Sequence, residues 1–340
     1  RSGMSDGLRT SVVGAGAWGT ALALVLNDRG HNVRLWSFEP EVTESIRKGR
    51  GNPYLAGVTL PETLDATSDL AEALDGAELV LSVSPSQKVR SVMSGAARYL
   101  DQEAILVSAS KGIEKGTLSR MDEVLSEVLG RDIQDRFCVL SGPSFADEVA
   151  KRAPTAVVVA SREEEVANRV QAAFQTPWFR PYTNNDVVGV ELAGAMKNVM
   201  ALAAGMAAGL GHSHNTTAAL ITRGLAEMTR LGVALGARPA TFYGLAGMGD
   251  LVLTCTGSLS RNRTLGYRLG QGEDLDIILS DMRAVAEGVK TASGLRELAG
   301  RYDVEIPITD QVCAIIEEGK PPAEALHTLM MRDPKPETWS

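Results

Sequence analysis

Three glycines, Gly14, Gly16 and Gly19, sit in the run VVGAGAWGTALA at residues 12–23, between a short apolar strand and a helix with an apolar face. Each meets a different steric demand of a dinucleotide-binding turn: a tight bend at Gly14, close backbone approach to a pyrophosphate at Gly16, and close helix-on-strand packing at Gly19. The free amides at the start of the helix then face the anion. G-x-G-x-x-G alone is a weak signal, because an ordinary strand-to-helix turn in a chain rich in Gly and Ala carries the same letters. Context strengthens it: the motif opens the chain, and a second strand at residues 32–36 follows the helix after the Arg29-Gly30 break.

That second strand ends in Trp36-Ser37-Phe38-Glu39, where a doubly wound fold places the residue that reads the adenine ribose. A carboxylate at Glu39 accepts hydrogen bonds from ribose hydroxyls and repels a 2'-phosphate, which favours NAD over NADP. The competing role for Glu39 is to cap the next helix, residues 40–48.

At 340 residues the chain can hold two domains with buried cores. Its net charge of -8 argues against a nucleic-acid partner, since no stretch concentrates Lys and Arg with aromatics. An anionic substrate therefore needs local positive charge. Cys138, Cys255 and Cys313 are odd in number and far apart, and read as reduced, intracellular thiols. The first residues carry no charged segment followed by an apolar run, so no secretory signal is expected. Residues 192–211 are the most membrane-like, yet they are mostly Ala, Gly and Met and are interrupted by Lys197 and Asn198. That composition predicts a buried helix in tight helix packing and no membrane insertion.

From residue 10 to about 159, apolar strands alternate with helical patterns, which predicts a parallel sheet wrapped by helices. Strand candidates at 79–83, 105–108 and 138–140 run into polar or Gly/Pro-rich turns, Ser84-Pro85-Ser86, Ser110-Lys111-Gly112 and Ser141-Gly142-Pro143-Ser144, which converge on one crevice at the carboxyl ends of the strands. After about residue 189 the periodicity becomes helical. The expected architecture is α/β: a doubly wound, Rossmann-like sheet domain at 4–189, an all-helical domain at 190–331, and a disordered tail at 332–340.

Lys197 is the only charge in residues 192–211, and a desolvated lysine has a lowered pKa that suits proton abstraction. The bland alternative is a lysine snorkelling from a helix edge. Lys111 follows an apolar strand and precedes Gly112, where a cation can hold a substrate oxygen or phosphate, or simply sit solvated in a loop. Gly142, Ser144 and Ala146 in SGPSFA offer small side chains and open amides near the same crevice. Asp250 reads either as a helix cap or as a polar contact to Lys197 or a substrate hydroxyl. Ser260-Arg261-Asn262-Arg263 forms a candidate phosphate clamp, and because its two arginines are two residues apart on a helix, one of them and not both is expected to reach the ligand. His212 and His214 form an H-x-H pair without a carboxylate or thiol at ligand spacing, so no metal is expected.

The blocks GAGAWGTALA, SASKGIEKGT, SGPSFADEVA, ELAGAMKNVMALAAG, ITRGLAEMTRLG, GLAGMGDLVLTCTGSLSRNR and EGVKT occur in this order. With them the chain closely resembles the NAD(P)-dependent glycerol-3-phosphate dehydrogenases of the bacterial type, from about residue 10 to 329. The resemblance implies reversible hydride transfer between a nicotinamide and dihydroxyacetone phosphate or sn-glycerol 3-phosphate, with no metal. It implies Lys197 as the proton acceptor, and substrate contacts from Lys111, Gly142, Ser144, Asp250, Ser260, Arg261 and Asn262. On the cofactor side it points to Ala17, Trp18, Ala146, Val285 and Glu287 beside Gly14, Gly16 and Gly19, with Phe38 at the adenine end and Lys111 and Arg261 shared between cofactor and substrate. It also implies a cytoplasmic homodimer that supplies glycerol phosphate for phospholipid synthesis. The chain departs from the family at WSFE, where many bacterial relatives carry Arg or His, and at Lys88, where relatives often have an aromatic residue. Two other functions compete: another lysine-base dehydrogenase of the 6-phosphogluconate or 3-hydroxyisobutyrate kind, which SRNR and GMGDLVLTC argue against, and a non-catalytic NAD-sensing protein.

Overall fold

The computed structural model describes residues 7–282 and 286–337. Among them, eight strands form one sheet: β1 (Arg9–Val13), β2 (Asn32–Trp36), β3 (Asp65–Thr67), β4 (Leu79–Ser82), β5 (Ile105–Ser108), β6 (Phe137–Ser141), β7 (Thr155–Ala160) and β8 (Phe179–Asn184). Their order is β3-β2-β1-β4-β5-β6-β7-β8. β1 is thus flanked by β2 and β4, and the order reverses between β1 and β4, the switch point at which such sheets bind ligands beyond the carboxyl ends of their strands. The central strands are buried on both faces because helices cover both, which explains their continuous apolar runs.

The sheet differs from the all-parallel expectation in one pairing: β6 and β7 run antiparallel, with Val139 opposite Ala160. The connector between them places its short helix Ala146–Ala150 against the helix Ala17–Asp28 instead of carrying the chain back for a parallel return. Two strands escape the periodicity argument. β3 has three residues, too few to show a pattern. β8 contains Pro181 and alternates buried with exposed residues, which fits its place at the end of the sheet, where a missing backbone N–H costs no ladder bond.

Beyond β8 the described chain is helical, and its axis is the helix Val187–Gly209. Asp186 starts it: one carboxylate oxygen accepts the Gly189 N–H at 2.9 Å, and the other accepts the Arg238 N–H at 2.8 Å and the Thr241 hydroxyl at 2.6 Å. This helix has the length and hydropathy to cross a membrane, but 89% of that window is buried inside the protein. The helix Arg261–Gly270 packs on it backbone to backbone. A Cβ added at Gly205 would lie 2.1 Å from the Arg263 carbonyl oxygen, and one at Gly266 would lie 2.2 Å from that of Leu202. Gly209 and Gly270 are equally tight against Tyr267 and Met206. Small residues here set the distance at which the SRNR segment stands from Lys197. A third helix, Glu287–Arg301, closes on the same axis, its Gly288 leaving no room for a Cβ beside the Asn198 carbonyl.

Because a Cβ is fixed by its own Cα and the carbonyl oxygen it would meet belongs to backbone, neither can rotate away. Gly266→Val is therefore expected to cost about 3 kcal/mol or more in denaturant unfolding. Gly300→Ala, in an open position of the helix Glu287–Arg301, is expected to gain about 0.5 to 1 kcal/mol. Equal stability of the two variants would contradict this packing account.

Candidate active site

The turn between β1 and the helix Ala17–Asp28 divides its three glycines by role. Gly14 has φ +132°, where L side chains are strained, and its Cβ would lie 2.8 Å from the Val83 carbonyl. A Cβ at Gly19 would strike the Gly14 carbonyl oxygen at 1.8 Å, so helix and turn touch there. Gly16 has nothing within 4 Å of a Cβ position and stands at the start of a helix that no side chain caps. The result is an open cradle backed by orphan N–H groups, which fits the pyrophosphate of a dinucleotide. Ala17 and Trp18 form the first turn of that helix and pack on the sheet core, and Ala146 begins the short helix laid against it. Asn52 braces the turn, donating to the Ala15 carbonyl at 2.9 Å and to Thr20 Oγ1 at 2.8 Å.

At the end of β2, the Phe38 ring is 80% exposed and meets Trp36 edge-on at 6.4 Å, an uncovered aromatic face at the place of an adenine. Glu39 precedes the helix Pro40–Gly49 but makes no side-chain cap. Its carboxylate instead accepts the Tyr54 hydroxyl at 2.6 Å, which fixes its direction.

Across the crevice, Lys197 and Asp250 are both buried, 8% and 1% exposed. Lys197 Nζ donates to Asp250 Oδ1 at 2.7 Å and to Thr254 Oγ1 at 2.8 Å. Lys111 Nζ donates to the other carboxylate oxygen, Asp250 Oδ2, at 2.7 Å, and to the Gly142 carbonyl at 3.3 Å. One carboxylate thus holds two ammonium groups, and each keeps one of its three N–H donors beyond these bonds. Of the two roles open to Asp250 in the sequence, the polar contact to Lys197 is the one its side chain makes. It can do so because the π-helical turn Leu245–Gly249 delivers it at the start of the helix Asp250–Thr256. Such wide turns recur at functional sites. Gly247 permits the turn, since a Cβ there would lie 2.1 Å from the Phe242 carbonyl oxygen.

Burial pulls the Lys197 ammonium down to about 8, a fall that the Asp250 carboxylate limits and the Lys111 charge reinforces. Burial alone would raise the Asp250 carboxyl, but the two ammonium groups outweigh it and hold it below the ordinary carboxylate range. The cluster therefore carries a net positive charge in an acidic chain, and its buried lysine exchanges a proton near neutrality.

The structure brings Gly142 and Ser144 to the same place. Gly142, at φ +143° and too close to Val157 for a Cβ, presents the carbonyl that receives both Lys111 and the Ser144 hydroxyl, the latter at 3.0 Å. Ser260 caps the helix Arg261–Gly270 by accepting the Arg263 N–H at 3.2 Å, and Asn262 Oδ1 accepts the Gly288 N–H at 3.0 Å, tying that helix to the next. Arg261 is exposed to solvent at the start of that helix, although protein crowds its guanidinium, with Glu287 and Asp147 near enough to act on its charge. Burial lowers its guanidinium and the two carboxylates offset that in part. The backbone of Arg263 is the one packed against Gly205. Glu287 accepts the Ser86 N–H at 3.0 Å and the Ser86 hydroxyl at 2.5 Å, which closes the helical half onto the turn after β4. Val285 lies outside the described residues. Among the described residues, no three His, Cys, Asp or Glu side chains converge as a metal site. Sequence reasoning named Ser86 only within the turn Ser84-Pro85-Ser86 and did not single out Thr254, Gln87 or Asn52. For Thr254 a signal existed, because it stands four residues after Asp250 on one helix face.

A doubly wound dinucleotide domain joined to a helical domain with a buried, carboxylate-held lysine defines the class of pyridine-nucleotide dehydrogenases. The chain belongs to the NAD-dependent glycerol-3-phosphate dehydrogenase family, whose N-terminal model matches residues 9–167 and whose C-terminal model matches residues 186–327. It is 56% identical over 332 residues to the glycerol-3-phosphate dehydrogenase [NAD(P)+] of Geobacter metallireducens, covering 97% of this chain and 99% of that one. The enzyme of the same name from Myxococcus xanthus is 53% identical over 331 residues, with the same coverage, 97% and 99%. The crystal structure of glycerol-3-phosphate dehydrogenase from Coxiella burnetii superposes with a TM-score of 0.92 at 39% identity, covering 96% of this chain and 100% of that chain.

Loss of the Asp250 charge removes the attraction that keeps Lys197 protonated. In an NMR titration of labelled lysines, Lys197 is expected to titrate near 8 in the unaltered chain and about 1 to 3 units lower in Asp250→Asn. An ordinary lysine value in both proteins would contradict the burial argument.

Proposed function

We propose that the chain catalyses the reversible NAD(P)H-dependent reduction of dihydroxyacetone phosphate to sn-glycerol 3-phosphate. The observation that carries this reading is the single carboxylate of Asp250 held between Lys111, on the loop after β5, and Lys197, on the axial helix. When bound, the nicotinamide supplies the hydride to C2 in reduction and accepts it in oxidation. Gly14, Gly16, Ala17, Trp18, Gly19, Ala146, Arg261, Val285 and Glu287 serve the cofactor, with Phe38 against the adenine and Glu39 at its ribose. The carboxylate of Glu39, uncommitted to a helix cap and directed by the Tyr54 hydroxyl, supports NAD over NADP. In this reading residues 4–189 bind the cofactor and residues 190–331 complete the substrate site; of the expected tail at 332–340, Arg332 and Lys335 pair with Glu305 and the Glu337 carbonyl accepts from Arg223, while residues 338–340 lie outside the described residues.

Protonated Lys197 gives its proton to the carbonyl oxygen as the alkoxide forms, and neutral Lys197 takes the hydroxyl proton in the reverse direction. Lys111 and Arg261 supply the positive charge that a triose phosphate requires in this acidic protein, with Gly142, Ser144, Asp250, Ser260 and Asn262 shaping the pocket around it. Asp250 keeps Lys197 aimed and sets the proton affinity at which it works. The free, buried cysteines support a cytoplasmic location, and the family resemblance supports a homodimer that feeds phospholipid synthesis.

The test is the absorbance of the reduced nicotinamide with dihydroxyacetone phosphate, run with NADH and with NADPH. Oxidation of NADH faster than NADPH is expected, and oxidation of neither would overturn the reading. Because a neutral amine is the base and an ammonium the acid, oxidation of glycerol 3-phosphate should rise with pH through about 8 while reduction falls above it. Lys197→Met should lower kcat by about 10²- to 10⁴-fold while NADH still binds. A mutant with undiminished turnover would remove Lys197 from the chemistry.

A further inference from the structure

The proposed reaction needs Lys111 at a fixed place, yet Lys111 sits in a loop, and loops hold side chains less firmly than helices or strands do. Its loop is braced from both sides by one segment, the turn that follows β4. On the near side the Ser110 hydroxyl donates to the Ser84 carbonyl at 2.5 Å. On the far side the Gln87 side chain spans the loop backbone: Nε2 donates to the Ile113 carbonyl at 2.8 Å, and Oε1 accepts the Lys115 N–H at 2.9 Å. Between these braces Gly112 takes φ +156° and presses on Ser86, so that a Cβ would lie 2.5 Å from the Ser86 hydroxyl oxygen. Arg90, one turn further on, grips the same loop by a two-pronged contact to Glu114, at 2.9 and 2.8 Å.

We infer that Gln87 is a positioning residue for the reaction: its amide acts as a two-bond strap that holds the loop so that Lys111 reaches across to Asp250 and to the substrate. A primary amide suits this task because it offers a donor and an acceptor side by side, matching one carbonyl and one N–H of an extended backbone. Ser86, its neighbour, binds Glu287 of the helical half. Two successive residues thus connect the substrate cation and the cofactor-side carboxylate to a single turn of the sheet domain. Gln87 itself touches neither ligand in this account. The inference rests on the proposed reaction, and its test separates the two.

Gln87→Met keeps the volume of the side chain and removes the two loop bonds together with the donation from Nε2 to the Ser86 hydroxyl at 3.2 Å. The expected result is a rise of about tenfold in KM for dihydroxyacetone phosphate. A second readout follows from charge. Lys197 is faced by Asp250, Lys111 and Cys255, and the Lys111 charge lowers its proton affinity. If Lys111 swings away, the pH limb of glycerol 3-phosphate oxidation moves upward from about 8. A merely structural glutamine would lower the melting temperature without moving that limb. The double variant Gln87→Met/Lys111→Met should be no more impaired than Lys111→Met alone, because Gln87 acts only through Lys111. An unchanged KM and pH limb in Gln87→Met, or full additivity in the double variant, would overturn the inference. Failure of the unaltered enzyme to turn over dihydroxyacetone phosphate would instead overturn the proposed reaction.

Discussion

The Asp250 carboxylate is the constraint on which the site depends. Two ammonium groups compete for it, one from a loop of the sheet domain and one from the axial helix, and it answers each with a different oxygen. Removing one partner of a buried ion pair typically costs about 3 to 5 kcal/mol, because the remaining charge is left without compensation. Here the loss would leave two cations facing each other. The same carboxylate therefore orients Lys197, shifts its proton affinity and joins the loop after β5 to the axial helix.

The rest of the helical half is arranged to deliver that contact. Glycines let the helices Val187–Gly209 and Arg261–Gly270 meet backbone to backbone, Gly205 against the Arg263 carbonyl and Gly266 against that of Leu202. Gly288 does the same for the helix that carries Glu287, and Asn262 bonds its Gly288 N–H. The sheet half contributes a turn free of side chains at Gly16, and loops held by Ser84, Ser86 and Gln87. Lys111, Lys197, Asp250 and the glycine turn thus come from separate stretches of sequence, brought together by side-chain ion pairs and close backbone packing.

Much of this was legible in the sequence where local chemistry is decisive. Gly14, Gly16 and Gly19 announce the turn because only glycine satisfies its steric demands, and a single lysine in a long apolar run announces a desolvated amine. Asp250 was legible as a polar residue at a helix start but not as the shared partner of Lys111 and Lys197, since that contact joins positions 139 and 53 residues apart. β3 was too short to show a pattern, and Pro181 disguised β8. The antiparallel turn of β7 depends on where the Ala146–Ala150 helix docks, which no local signal encodes. Gln87 carried no signal in the sequence, because its bonds go to two backbone groups of another segment.

Chemical rescue tests the central claim, that the amine of Lys197 moves the proton, most directly. In Lys197→Ala, small primary amines added to the assay should restore glycerol 3-phosphate oxidation in proportion to their free-base concentration, with more basic amines acting more strongly. A variant that still binds NADH and dihydroxyacetone phosphate but shows the same residual rate with and without amine would contradict the account.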